Sequence, residues 1–246
     1  MKEDRSCSME IINLTHKQPS VTNRATSFAI NFKELKEIWI FNCFQGCQNV
    51  MNRKQVKINQ ISKIIITELG IKQVSGLMGL LSSLSLIGRK KEIHLYSPRG
   101  LENYLALSKK YSQTNFRYNL YVHILTAGII INNDLYKVYT FATGLKFNFL
   151  LILHETYGKF KSDKAKRFNL ISGPLYGQLK QGKNFLAPDG IIVKSQKFTK
   201  HNKKGKKFTY LIDQYCGRNY LETQKETRII QQTLQSNNIN KQLIQI

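Results

Sequence analysis

The chain is short of acid. Its 246 residues carry 15 Asp and Glu against 38 Lys and Arg, a formal charge of +23. An excess of that size repels itself and attracts polyanions, so RNA, DNA or an anionic membrane surface are the partners it suits. A genome rich in A and T supplies part of the same excess, because it favours Lys, Asn and Ile, and all three are abundant. Cysteine is scarce as well. Cys43 and Cys47 have three residues between them, and neither Cys7 nor Cys216 completes a zinc-type pair. The four read as reduced, mostly buried thiols in a reducing compartment. No apolar run is long enough to span a bilayer. The start, MKEDRSCSME, is acidic and lacks an apolar centre, unlike a secretory signal or transit peptide. The expectation is a protein that works where it is made: the plastid stroma if the composition reflects an organellar genome, the cytoplasm otherwise. Hydrophobic content of 41% supports a real core and excludes wholesale disorder.

What is present is organised around residues 63–88, KIIITELGIKQVSGLMGLLSSLSLIG. Lys63–Thr67 is a β-branched run of strand length, Glu68–Ser75 a mixed loop, and Leu77, Leu80, Leu81 and Leu84 mark one face of a helix ending at Gly88. A loop between a strand's carboxyl end and a helix is where α/β proteins place their chemistry, yet this one holds no histidine, no aspartate and no paired acids. Upstream, strands are expected at Glu10–Leu14, Thr26–Phe32 and Ile38–Cys43, with Pro19 and Asn23 in a turn and helical character over Gln45–Gln55. Downstream, strand Glu92–Tyr96 precedes helix Leu101–Tyr111. Four runs, Tyr118–Leu125, Gly128–Ile131, Leu135–Phe141 and Phe147–Leu153, then predict an antiparallel meander with a turn at Asn132-Asn133. Residues 155–190 are basic, contain Gly and lack a clean period. Asp189-Gly190 reads as a hairpin turn, Phe208–Asp213 as a last strand, and Leu221 onward as a tail with helical spacing at Ile229, Ile230 and Leu234. Strand–helix units in front and a meander behind predict two packed sheets with helices outside, an α/β (α+β) arrangement.

The order of motifs resembles ribonuclease Z, the tRNA 3′-processing endonuclease of the metallo-β-lactamase superfamily, from about Glu10 to Asp213. Residues 158–182, GKFKSDKAKRFNLISGPLYGQLKQG, are its most specific part. Gly158, Lys159, Phe160, Lys164, Ala165, Gly173, Pro174, Leu175, Tyr176, Gly177, Leu179, Lys180 and Gly182 follow in order the family arm's G-K-F start, K-A pair and G-P-L-F/Y-G-x-L-K-x-G end. IWIFNCFQGCQ is similar to the family's strand and D-C-G-E-G-T-Q turn, with Asn42, Phe44, Gln45 and Cys47 in place of Asp, Gly, Glu and Thr. The stretch from Lys63 is similar to its strand, H-x-H-x-D-H loop and G-L-P-G-L-L-S-S helix.

The resemblance implies an αββα sandwich over residues 1–246, C-terminally truncated, with an inserted, protruding arm at 155–190. It also implies what is missing. In the family the loop histidines and aspartate, with later His and Asp residues, hold two zinc ions that activate water and stabilise charge on the scissile phosphate. Here the histidine positions hold Glu68, Gly70 and Gln73, the aspartate position holds Lys72, and no histidine stands near Ala142–Leu145. Asp213 fits the bridging aspartate; the family's later H-E-A-T-F and G-H-S segments are not found. Glu68 and Asp213 are thus the remaining catalytic candidates, no metal site is expected, and His16, His94, His123, His154 and His201 match no family ligand. The arm implies tRNA or precursor-tRNA binding, with Lys159, Lys161, Lys164, Lys166, Arg167, Gly173, Pro174, Tyr176, Lys180 and Lys183 as the RNA-binding candidates. Lysines suit a partner read by shape; Phe160, Phe168 and Tyr176 either pack the arm or stack on bases. The expectation is a tRNA-binding member without its own hydrolytic site, alone or paired as a homodimer or with an active subunit. The alternatives are an active zinc endoribonuclease with substituted ligands, and a non-catalytic relic or interaction subunit.

Overall fold

The computed structural model describes residues 9–15, 27–155, 158–186, 190–200, 205–212 and 227–231. The chain opens with three β-rich strands, β1 (Met9–Asn13), β2 (Phe28–Phe32) and β3 (Glu37–Phe41), followed by α1 (Cys47–Arg53). β4 (Ile61–Ile65), the short helix α2 (Ile71–Val74) and α3 (Leu77–Leu86) lead to β5 (Ile93–Ser97) and α4 (Leu101–Ser112). The strands β6 (Leu120–Ile124), β7 (Gly128–Asn132), β8 (Tyr136–Thr143) and β9 (Lys146–Leu153) come next. Then follow α5 (Ser162–Arg167), α6 (Pro174–Lys180), β10 (Phe185–Leu186), β11 (Ile192–Val193), β12 (Lys206–Leu211) and β13 (Thr227–Gln231).

Two large sheets result. The first has six strands in sequence order, β1 to β6; the second has five, in the order β13-β12-β9-β8-β7. β1, β2 and β3 pair antiparallel, while β3, β4, β5 and β6 run parallel, linked by the helical crossovers that parallel pairing requires. Side-chain alternation along β3 divides two cores. Ile38 and Ile40 join Leu77, Leu80, Leu84, Leu101 and Leu105 in an aliphatic layer between the first sheet and α1, α3 and α4. Trp39 and Phe41 turn the other way, into an aromatic layer between the sheets. There Phe41 stacks on Phe28 at 4.4 Å, Phe28 meets Tyr210 at 5.0 Å, and Trp39 meets Tyr136 edge-on at 4.9 Å. The expected two-sheet α/β arrangement with outer helices is present.

Three expectations are corrected. The run Tyr118–Leu125 was expected to open the meander, but β6 pairs parallel with β5 as the edge of the first sheet, and the chain changes sheets before β7. Nothing in the run itself records which sheet takes it. The mixed loop contains a single helical turn, α2, too short to show a period. The helical spacing at Ile229 and Ile230 gives way to strand β13, parallel to β12, in keeping with the β-branched Thr227, Ile229 and Ile230. The turn at Asn132-Asn133 is present, Asn133 N donating to Tyr136 O at 3.0 Å. Pro19, Asn23, Asp189 and Leu234 lie outside the described residues.

Two compact units are distinguished. One comprises the described parts of residues 153–206; the other holds both large sheets and α1 to α4.

Two polar features sit in the sandwich. Lys63 on β4 reaches Glu37 Oε2 at 3.2 Å, with its ammonium 4.8 Å from the Trp39 ring centre. Burial works to raise the Glu37 carboxyl, but the Lys63 charge and hydrogen bonds from Lys63, Trp39 and Ser62 outweigh it and hold the group below its ordinary range. On the neighbouring strands His94 Nδ1 and His123 Nε2 are 3.0 Å apart. Burial, and then the proximity of His94, lower the His123 pKa. His123 therefore favours the folded state when neutral. That stability is complete above its unfolded pKa near 6.5 and is lost below it, as pH falls through the lower folded pKa. Glu37 has the same sign in a lower window: its contribution is complete above about 4.3 and lost on further acidification. Thermal melts are expected to hold level above pH 7, fall below about 6.5 and fall again below about 4.3, and His123→Phe should flatten the first step. Gly76, just before α3, leaves no room for a Cβ, which would overlap the Phe44 carbonyl oxygen and lie 3.1 Å from Cys47 Sγ. Gly76→Ala is expected to cost about 1–3 kcal/mol in denaturant unfolding.

Candidate functional site

The loop after β4 is held by backbone and by Asn42. That asparagine is fully buried at the end of β3 with φ +58°, a left-handed conformation that asparagine tolerates better than most residues. Its N–H donates to Ile65 O at 2.9 Å and its carbonyl accepts from Ser27 Oγ at 2.7 Å. Its Oδ1 accepts from both the N–H and the hydroxyl of Thr67, at 3.0 and 3.1 Å. Thr67 O in turn accepts from Phe147 N on β9 at 3.0 Å, so the loop's start is anchored to both sheets. Its far end is anchored to the α1 turn: Cys43 N donates to Gln73 O at 2.7 Å and Gly76 N to Cys43 O at 2.8 Å. Cys43 and Cys47 behind it are free, buried thiols. The hydrogen bond to Cys47, with burial, pushes the Cys43 thiol up; the same hydrogen bond lowers Cys47. Cys7 and Cys216 lie outside the described residues.

The side chains in this frame engage one another. Gln73 is buried and its Nε2 donates to Glu68 Oε1. The second carboxylate oxygen of Glu68 lies 3.8 Å from Lys146 Nζ, at the start of β9. Gly70 has no donor atom, and Gln73 Oε1 fills the space that a Cβ at Gly70 would need. Lys72 is exposed on α2. The expected histidine region, Ala142–Leu145, covers the end of β8 and the turn into β9, with Gly144 at φ +62°.

This donor set does not fit a two-zinc centre. Zinc wants deprotonated nitrogen, sulfur or oxygen ligands near 2 Å with nothing cationic among them. Glu68 is the loop's one carboxylate, and its oxygens face an amide and an ammonium. Among the described residues no three His, Cys, Asp or Glu side chains gather around a point that could hold a metal ion. Asp213, His16 and His201 lie outside the described residues. His94 and His123 face each other across β5 and β6, and His154 follows β9.

The basic segment has its own small core. Ala165, Leu179 and Phe198 are buried. Phe160 pairs with Thr199 in an antiparallel bridge, supported by Lys161 N to Phe198 O at 2.7 Å and Lys200 N to Lys159 O at 2.9 Å. The G-P-L-Y-G-x-L-K-x-G letters spell helix α6. Pro174 opens it, where proline's missing N–H costs nothing, and Gly182, at φ +85°, follows its end. Tyr176 packs on Phe160 at 4.8 Å and donates its hydroxyl to Leu170 O at 2.7 Å, so its ring and hydroxyl both have partners inside the segment. Phe168 meets Phe198 edge-on at 5.3 Å, yet remains 57% exposed.

Lys159 is exposed beside the bridge and Lys161 just before α5; Lys164, Lys166 and Arg167 are exposed on α5. Lys180 is half-buried at the end of α6, Lys183 is exposed after it, and Gly173 lies exposed before Pro174. The structure therefore brings the predicted cations into one unit without bringing them to one point. A cavity of about 400 Å³ in the same unit is lined by Lys180, Gly182, Asn184, Lys194, Ser195, Gln196 and Thr199. Sequence reasoning missed Asn184, Lys194, Gln196 and Thr199; Asn184 and Lys194 are brought together by the antiparallel pairing of β10 with β11, which no sequence period reports.

No family model matches the chain. The uncharacterized protein ycf56 of Pyropia yezoensis is 37% identical over 206 residues, covering 82% of this chain and 78% of that protein. The ribonuclease Z of Acaryochloris marina is 35% identical over 204 residues, covering 80% of this chain and 64% of that protein. The chain thus spans slightly less than two thirds of that ribonuclease Z. Human tRNase Z, short form, has a similar fold, with a TM-score of 0.51 at 23% identity over 59% of this chain and 65% of that one. On these similarities the chain belongs to the ribonuclease Z family, with a metallo-β-lactamase-like fold.

Proposed function

We propose that this chain binds tRNA or its precursor through the basic segment and has no two-zinc hydrolytic centre of its own. The observation that carries the reading is the state of Glu68. In the loop where the family's histidines would stand, the one carboxylate is held by Gln73 on one side and faces the Lys146 ammonium on the other. A dication there would have to displace an amide and oppose a cation. The binding half rests on residues 158–183, where exposed cations on and around α5 and α6 are opposed by the single acid Asp163. Lysines spread over a surface contact phosphates without reading sequence, which suits a folded RNA.

In this reading residues 155–190 are an arm inserted in one domain, and no zinc is needed as a cofactor. The plastid stroma is the proposed location, on the composition and on the similarity to ycf56 of two red algae. Among the described residues no helix is long and apolar enough to cross a membrane.

The purified chain is expected to retard precursor tRNA in a gel, with affinity falling steeply as salt rises, and to release no 3′ trailer with added Zn²⁺ or Mn²⁺. Metal analysis should find no tightly bound zinc. About two zinc ions per chain together with trailer release would overturn the inactive half of the reading. Replacing Lys159, Lys164, Arg167 and Lys180 together by Ala is expected to weaken binding at least about tenfold and to lower the slope of log affinity against log salt by about three to four. Unchanged affinity and slope would remove the arm as the binding surface.

A further inference from the structure

We infer that the cavity lined by the end of α6, the stretch before β10 and the residues after β11 seats one ribose-phosphate unit of an RNA backbone and distinguishes RNA from DNA. This rests on the RNA-binding reading above and adds a specificity that the surface lysines cannot supply. The cavity measures about 400 Å³, more than a phosphate group fills. Its charged lining residues are both cations: Lys180 from the end of α6 and Lys194 just after β11. No aromatic and no acidic side chain lines it, so it offers neither a stacking platform for a base nor repulsion to a phosphate.

The remaining lining groups are amides and hydroxyls, and their hydrogen bonds are partly assigned. Asn184 Oδ1 accepts from Ser195 N at 3.1 Å, Ser195 Oγ donates to Gly182 O at 3.0 Å, and Thr199 Oγ1 donates to Ser195 O at 3.2 Å. These bonds fix the wall and direct the Thr199 proton away, leaving its oxygen to accept. Gln196 brings a donor and an acceptor in one group. A ribose 2′-hydroxyl is itself donor and acceptor, and it is the group that separates RNA from DNA. Two cations for the phosphate, with Gln196 and Thr199 for the sugar, form the set one ribonucleotide needs.

The test is fluorescence anisotropy on an RNA hairpin and the DNA hairpin of the same sequence, with wild type, Lys194→Ala, Gln196→Ala and Thr199→Val, each shown by circular dichroism to be folded. Wild type is expected to prefer RNA. Lys194→Ala should weaken both ligands and lower the salt slope by about one. Gln196→Ala and Thr199→Val should each weaken RNA roughly three- to tenfold and leave DNA unchanged. Adenosine 5′-monophosphate is the competing probe. Displacement of RNA by it, abolished in Lys194→Ala, identifies a free nucleotide as an occupant, whereas no displacement beside intact variant effects identifies the polymer. If wild type binds RNA and the three variants match it, the cavity assignment is overturned while the RNA-binding reading stands. If wild type retains neither hairpin nor precursor tRNA, both fall together.

Discussion

β3 is buried on both faces, and the rest of the sandwich depends on it. Ile38 and Ile40 face the helices, while Trp39 and Phe41 face the second sheet. Removing a large side chain from either face would leave a cavity that the packed layer behind it could not close. The two layers differ in kind. Branched aliphatic side chains interlock with the leucine stripe of α3, whereas rings meet in stacked and edge-on pairs between the sheets. Because β3 also runs parallel to β4, its carboxyl end sets the level at which the loop after β4 leaves the sheet. The site loop is a consequence of that core, not an addition to it.

At that level Asn42 joins the ends of β3 and β4, and Cys43 joins the loop's return to the α1 turn. The scaffold of the loop after β4 is therefore complete in an ordinary structural sense. What it presents is a carboxylate held by an amide and an ammonium, a glycine, and an exposed lysine. The basic segment is the opposite case: its interior is small, made by Ala165, Leu179 and Phe198, and most of its surface is charge. Much of its family motif is accounted for by folding. Pro174 and Gly182 bound a helix and Tyr176 packs and hydrogen-bonds within the unit, while Lys159 and Lys164 present exposed side chains.

Strands of the first sheet were legible because β-branched and aromatic runs such as Ile38–Phe41 state their own conformation, although β4 runs over Ile61–Ile65 where Lys63–Thr67 was expected. The α3 stripe was legible by its period. The sheet that takes β6 was not, since a strand's sequence records burial and not its neighbour. α2, with four residues, is shorter than any period, and β13 depends on a parallel partner distant in the chain. The same limit applies to the site. The identities of Glu68, Gly70, Lys72 and Gln73 could be set against a motif, but the approach of Lys146 to Glu68 needs β9 to lie beside the loop. The cavity lining needs β10 and β11 to pair, and no periodicity reports that.

The way the loop after β4 is tied has a consequence for the groups it carries. Its path is set by main-chain groups, Thr67 O, Gln73 O, Gly76 N and both polar groups of Cys43, together with one asparagine that lies outside it. Gly76 is required by main chain, the Phe44 carbonyl, whereas at Gly70 the space is taken by the movable end of the Gln73 side chain. The side chains at 68, 72 and 73 make none of these main-chain ties. A loop tied in this way can keep its course through the fold while the groups it displays are exchanged.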